Sequence, residues 1–235
     1  MSVLGASEAK ETRGYKIKLA AGIIFFNDYC SLQRCLNSIN DGVDIIFAID
    51  GKFPTFPSSS DLSTDGSRKL VRSYPKCVLI DFPKPEFEKR TKYLEYSALH
   101  SVDVLLIIDS DEFVLDNADW KMFRYNLRRV VFDRDRCASN VYAIQLQSVD
   151  KSYGFLACPR LWYKPAEMEY YGGRHYFFRN KDPAKINVPH QGDHSLNIIE
   201  GIKIGHDHSL RDGSHLKSRL IYQIWLESYE KTLSL

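Results

Sequence analysis

The stretch Val104-Leu105-Leu106-Ile107-Ile108-Asp109-Ser110-Asp111-Glu112-Phe113 decides how this chain folds. Five apolar residues in a row suit a strand buried on both faces, the kind found in parallel sheets covered by helices. The two carboxylates that follow stand two positions apart at the strand's end. Ligands of α/β sheets collect beyond the carboxyl ends of the strands. Paired acids there suit a hard, oxygen-preferring divalent cation, which can bridge to a diphosphate. A strand followed by a solubilising polar turn gives the same short pattern, so the neighbouring segments must decide.

Those neighbours alternate. Ile17–Phe26 predicts a strand, and Asn27 and Asp28 lead into a helix with Leu32, Cys35, Leu36 and Ile39 at i, i+3, i+4, i+7. Val43–Ile49 predicts a second strand ending at Asp50-Gly51, followed by a Pro- and Ser-rich loop, Lys52–Ser60. Ser63-Thr64-Asp65-Gly66 opens a helix to about Tyr74, Cys77–Phe82 is a third strand, and Glu88–Ser101 a helix before strand four, Val102–Ile108. Strands separated by helices imply right-handed βαβ units and a mainly parallel, Rossmann-like α/β sheet.

Beyond Asp111 the pattern changes. Asn117 is placed to cap a helix running to about Phe132, and Val141–Val149 alternates like a strand. Tyr153–Asn180 is dense in aromatics without a clean period. Ile198–Ile204 predicts a late strand ending in Gly205-His206-Asp207-His208, and Leu216–Thr232 a final helix.

Composition narrows the classes. The 235 residues carry 44% hydrophobic and 26% charged side chains, ordinary globular values, and a formal net charge of +2. That charge argues against bulk electrostatic binding of nucleic acid. The longest apolar run, near Ala20–Phe26, is too short to span a bilayer, and Met1–Lys16 lacks an apolar signal core. The five cysteines have neither metal-ligand nor disulfide spacing. These features predict a cytoplasmic protein.

Several pieces then stand in a familiar order. Gly22-Ile23-Ile24-Phe25-Phe26-Asn27 is followed by Arg34-Cys35-Leu36-Asn37-Ser38-Ile39, Ile45–Asp50, Ser63-Thr64-Asp65-Gly66-Ser67, Arg90 and Asp109–Phe113. Pro159-Arg160-Leu161-Trp162, Tyr170–His175 and Ile202–His206 come after them. Over residues 17–210 the chain resembles the family 2 glycosyltransferases of the GT-A fold, in the branch carrying D-x-D-E-F. The resemblance implies one GT-A domain: a nucleotide-sugar-binding half (17–115), an acceptor and metal-completing half (116–212) and a C-terminal helix (213–235). It implies transfer from a nucleoside-diphosphate sugar to a hydroxyl of a glycan, lipid or small-molecule acceptor. On the donor side it points to Asn27, Asp50, Asp65, Arg90 and Asp109, and on the acceptor side to Arg160, Trp162 and His175. Two departures stand out: twelve residues separate Asp50 from Ser63, and Tyr176 follows His175 where many relatives carry a glutamate.

The chemistry adds detail. A metal between the diphosphate and Asp109 and Asp111 neutralises charge on the departing oxygen. Asp111 is the expected direct ligand, with Asp109 reaching the ribose or the metal through water. Alternate strand residues share a face, so His206 and His208 can both point to the site with Asp207 turned away. An imidazole donor suits Mn2+ somewhat better than Mg2+. Glu167, Glu169 and Asp193 are the acids available as a general base. Lys217, Arg219 and Lys231 beside Leu220, Ile224, Trp225 and Leu226 suit a peripheral membrane contact, or an ordinary packed helix. The rivals are a non-catalytic binding module on the same fold and a haloacid-dehalogenase-like phosphohydrolase. The latter carries Thr or Val two places after its second Asp, where this chain has Phe113.

Overall fold

Apolar runs become parallel strands where helices cover both faces, and this chain supplies both. The computed structural model describes residues 16–132, 140–149, 154–171, 178–182 and 197–207. In chain order the elements are β1 (Leu19–Phe25), α1 (Tyr29–Ile39), β2 (Ile45–Asp50), α2 (Ser67–Arg72), β3 (Cys77–Asp81), α3 (Glu86–Leu99) and β4 (Val104–Ile107). There follow β5 (Glu112–Val114), α4 (Trp120–Phe132), β6 (Val141–Ser148), β7 (Phe155–Tyr163), β8 (Met168–Tyr170), β9 (Phe178–Asn180) and β10 (Ile198–His206). The expected final helix, 216–232, lies outside the described residues, and so do His175, Asp193 and His208. Among the described residues no helix is long and apolar enough to cross a membrane.

Eight strands form one mixed sheet in the order β3-β2-β1-β4-β7-β6-β10-β5, and β8 pairs with β9 in a small second sheet. The first four run parallel; β7 is antiparallel to both β4 and β6, β10 is parallel to β6, and β5 is antiparallel to β10. The fold class is therefore α/β with a Rossmann-like first half, as the sequence predicts. Side chains of β1 alternate between the faces: Leu19, Ala21, Ile23 and Phe25 pack with α1, α2 and α4, whereas Ala20 packs with α3 and the small sheet.

One consequence positions the site. Strands β4 and β5 are joined by only Ile108–Asp111, yet three strands stand between them in the sheet. Four strand spacings in a flat sheet measure about 19 Å. The linking chain reaches only about 17 Å at full stretch, and it is not stretched, because Glu112 N–H donates to the Asp109 carbonyl at 3.0 Å. The sheet must curl until its last strand returns to β4. The acidic loop bridges that closure.

Two expectations need correction here. Helix α4 begins at Trp120, and Asp119 rather than Asn117 lies at its start, with Oδ1 accepting Met122 N–H at 2.9 Å. The aperiodic aromatic segment contains β7, an interior strand whose adjacent Leu161 and Trp162 are both buried, so its apolar residues need not alternate. Trp162 on β7 is 1% exposed, with ring centroids 4.9 Å from Tyr170 and 4.7 Å from Phe178. It is a core residue and offers no surface to an acceptor.

Candidate functional site

The acids at the β4–β5 junction divide: Asp109 and Glu112 share Arg160, and Asp111 meets His206. Asp109 Oδ1 accepts from Arg90 Nη2 at 2.7 Å, and its Oδ2 lies 3.3 Å from Arg160 Nη2. Arg160 also bonds Glu112, whose second oxygen accepts the Asp109 N–H at 2.8 Å. Asp111 faces the other way: its Oδ2 lies 3.5 Å from His206 Nε2. That imidazole arrives on β10, which pairs His206 with Glu112.

The charges of these groups follow from their neighbours. Burial raises the Asp109 carboxyl, but Arg90 and Arg160 outweigh it and hold Asp109 well below the usual carboxylate range. Burial works against the Arg90 charge too, yet Asp109 and Glu86 hold it well above its ordinary value. Burial pushes the Glu112 carboxyl upward, against the pull of Arg160. A hydrogen-bonding Asp111 raises His206, with burial opposing. The Cys35 thiol, buried behind the loop, is pushed far up by burial and by Glu112, Asp111 and Asp109, so it is inert at neutral pH.

At the ends of β1 and β2 the expected donor-side residues are engaged with each other. Asn27, with φ +47°, accepts Thr64 N–H at 2.8 Å through Oδ1 and donates its own N–H to Ser63 Oγ at 2.8 Å. Asp50 is fully buried: it accepts from Ser63 Oγ at 2.6 Å and from Arg68 Nη1 at 2.6 Å. Arg68 also forks onto Asp81 at 2.7 and 2.9 Å. Asp65 accepts Tyr29 N–H at 2.9 Å and Ser67 N–H at 3.0 Å, serving the first turns of α1 and α2. Asp50 is closed in by Ser63 and Arg68, whereas Asp65 bonds the first turns of both helices and stays exposed. Ser110 Oγ donates to Asp28 Oδ2 at 2.6 Å and ties the acidic loop to the same corner.

The acceptor-side and base expectations divide. Arg160 reaches the acidic loop. Glu167 lies 3.3 Å from Lys164 in a 3-10 turn, and Glu169 on β8 pairs with Arg179 at 2.7 Å. Glu112 and Arg34 were missed. Glu112 adjoins Asp111 in the sequence, and Arg34 opens one of the stretches that carry the resemblance, but its partners Phe113 and Asp207 are remote from it in sequence.

A divalent cation fits part of this set. The carboxylate of Asp111 and the imidazole of His206 face one another as an oxygen and a nitrogen donor. Among the described residues no cluster of three metal-ligating side chains exists. Two protein donors with the remaining positions left to phosphate oxygens and water suit a catalytic metal bound through its substrate better than a structural one.

No protein-family model matches the chain, and no characterised protein matches it by sequence. Solved structures overlap it in part. TarS 1-349 of S. aureus in complex with UDP-GlcNAc superposes with a TM-score of 0.42 and 16% identity, covering 58% of this chain and 36% of that one. GalNAc-T7 with UDP, GalNAc and Mn2+ gives 0.44 and 11%, covering 82% and 44%. A cytidylyltransferase from Leptospira borgpetersenii gives 0.36 and 11%, covering 63% and 61%. The chain thus spans well under half the length of the TarS structure it overlaps. Functional assignment rests on the site's own residues.

Proposed function

We propose that this chain is a metal-dependent glycosyltransferase of GT-A architecture. It takes a sugar from a nucleoside-diphosphate donor and passes it to a hydroxyl of a glycan, lipid or small-molecule acceptor. The observation that carries this is the acidic loop at the end of β4, where Asp111 faces His206 while Asp109 is held by two arginines.

Asp111 and His206 would hold a Mn2+ or Mg2+ ion, whose chemistry there would be charge neutralisation at a departing diphosphate. His208, outside the described residues, is the further candidate ligand. Asp109, kept ionised by Arg90 and Arg160, would serve the donor's ribose or, through water, the metal. Arg90 is buried and already aimed at the loop, so it orders the acid without rearrangement. Glu167, Glu169 and Asp193 stay the candidate general bases, the first two paired with Lys164 and Arg179. His175 belongs to the acceptor side of the same proposal. A cytoplasmic site of action, with a peripheral membrane contact through residues 213–235, completes it.

The test is thermal stability of the purified chain against a panel of nucleoside diphosphates, with and without Mn2+. A ligand that binds the folded state raises the melting temperature by mass action. One nucleotide should shift it in a metal-dependent way, and Asp111→Ala should abolish the metal dependence. A shift that ignores Mn2+ would favour a nucleotide-binding module without turnover. No shift with any nucleotide would remove the donor site altogether.

A further inference from the structure

Three motifs distant in sequence meet at one guanidinium. Arg34, at the middle of α1, places its Cζ 3.4 Å from the centroid of the Phe113 ring. The same side chain donates through Nη1 to Asp207 Oδ2 at 2.9 Å. Asp207 directly follows His206, and its own N–H donates to the Asp111 carbonyl at 3.2 Å. Gly205 pairs with Phe113 across the β10–β5 ladder. Asp207 is 6% exposed and Phe113 6% exposed, so both ends of the contact are buried, while Arg34 itself is 40% exposed along its side chain.

Asp207 is expected to turn away from the metal side, and its carboxylate is held by Arg34. We propose that Arg34 is a positioning residue for the metal-binding imidazole: by stacking on Phe113 and holding Asp207, it fixes the turn that brings His206 opposite Asp111. The inference rests on the metal reading above. Its physical basis is the planarity of the guanidinium, which presents one face to an aromatic ring and its edge to a carboxylate. A lysine can satisfy the carboxylate alone. Metal sites depend on such outer contacts because a ligand must be aimed before it can coordinate, and removing one commonly lowers metal affinity 10- to 100-fold.

The experiment is Mn2+ titration, followed by calorimetry or by loss of the free-ion EPR signal, in the presence of the nucleoside diphosphate that stabilises the wild type. Arg34→Ala should weaken Mn2+ binding roughly 10- to 100-fold. Arg34→Lys should recover part of the loss, because it restores the charge on Asp207 without the stacking. Arg124→Ala supplies the control: Arg124 bonds the Gly42 carbonyl at 2.8 Å and Asp44 at 3.1 Å, partners that Arg34, Phe113 and Asp207 do not share in this contact. It should lower the melting temperature and leave Mn2+ affinity at the wild-type value.

If Arg34→Ala folds and binds Mn2+ as the wild type does, the positioning role is overturned and the metal site stands. It is equally overturned if Arg124→Ala weakens Mn2+ binding as much as Arg34→Ala does, because general loosening then explains both. If the wild type binds no Mn2+ under any nucleotide, the metal reading itself fails. Should Arg34→Ala not fold, Arg34→Lys carries the test alone: unchanged affinity overturns the role, and a loss of severalfold at a near-normal melting temperature supports it.

Discussion

Arg90 Nη2 lies 2.7 Å from Oδ1 of Asp109, and this pair fastens helix α3 to the end of β4. Arg90 is 5% exposed along its side chain and Asp109 29%, so the acid keeps some contact with water. Arg90 also donates to Glu86 at 2.8 Å and to Tyr93 Oη at 3.3 Å, and Tyr93 Oη lies 3.0 Å from Tyr170 Oη on β8. The acidic loop, α3 and the small sheet thus share one polar network.

Removing one partner of a buried pair leaves the other uncompensated. Arg90→Met should therefore lower stability by about 2–4 kcal/mol, somewhat less than a fully buried pair because Asp109 is partly hydrated. Denaturant unfolding at unchanged m-value measures this. A loss below about 0.5 kcal/mol would mean that the pair contributes no more than a surface contact.

Lys89 gives a pH prediction. It is 1% exposed, bonds the Gly51 carbonyl, and lies 4.3 Å from the Phe53 ring centroid. Burial lowers its ammonium to about 8 from 10.5, against the pull of Asp50 and Glu86. Between these values the unfolded chain binds more protons than the folded one, so stability rises with pH. The cost of burying the charge is present in full below pH 8 and is relieved between 8 and 10.5. Relative to Lys89→Met, the wild type should gain up to about 3 kcal/mol across that window. A stability difference that stays flat from pH 7.5 to 10.5 would contradict this.

Gly205 is opposed to Phe113, and a Cβ there would lie 2.6 Å from the Phe113 ring and 2.8 Å from Leu115. Both neighbours are packed, so Gly205→Ala should cost about 1–3 kcal/mol by overpacking. It should also weaken Mn2+ binding, since His206 is the next residue. A variant with normal stability and normal affinity would show that the ladder yields there without consequence.

The Asp111 carboxylate raises the pKa of His206, and a metal must displace that proton to use the imidazole. Mn2+ affinity should therefore climb as pH rises above 6.5, the ordinary histidine value. In His206→Gln the climb should flatten. Titrations at pH 6, 7 and 8 decide it, and an unchanged slope in the variant would remove His206 from the ligand set.

Much of the first half was legible in the sequence, because β1 to β4 and their helices are local patterns. Cys77–Asp81 and Ser67–Arg72 fall within one or two residues at the start and end of the predicted strand, and within the predicted helix. What sequence could not give was closure. Nothing in Glu112-Phe113-Val114 announces that it pairs with β10 rather than continuing β4. The same limit applies to side-chain partners. Asp50 reads as a carboxylate at a strand end, and only the fold shows Arg68 and Ser63 occupying it. Trp162 reads as an acceptor aromatic until β7 is placed inside the sheet. Arg160 reads as an acceptor-side residue in the sequence, and the fold shows it bonded to Asp109 and Glu112.

Donor turnover tests the central claim most directly. The purified chain is incubated with UDP- and GDP-sugars in Mn2+, in Mg2+ and in chelator, and released nucleoside diphosphate is counted. The account predicts release from one donor class only, dependent on the metal, and reduced roughly 100-fold in Asp111→Asn. Release that persists in chelator, or that Asp111→Asn leaves intact, would contradict it.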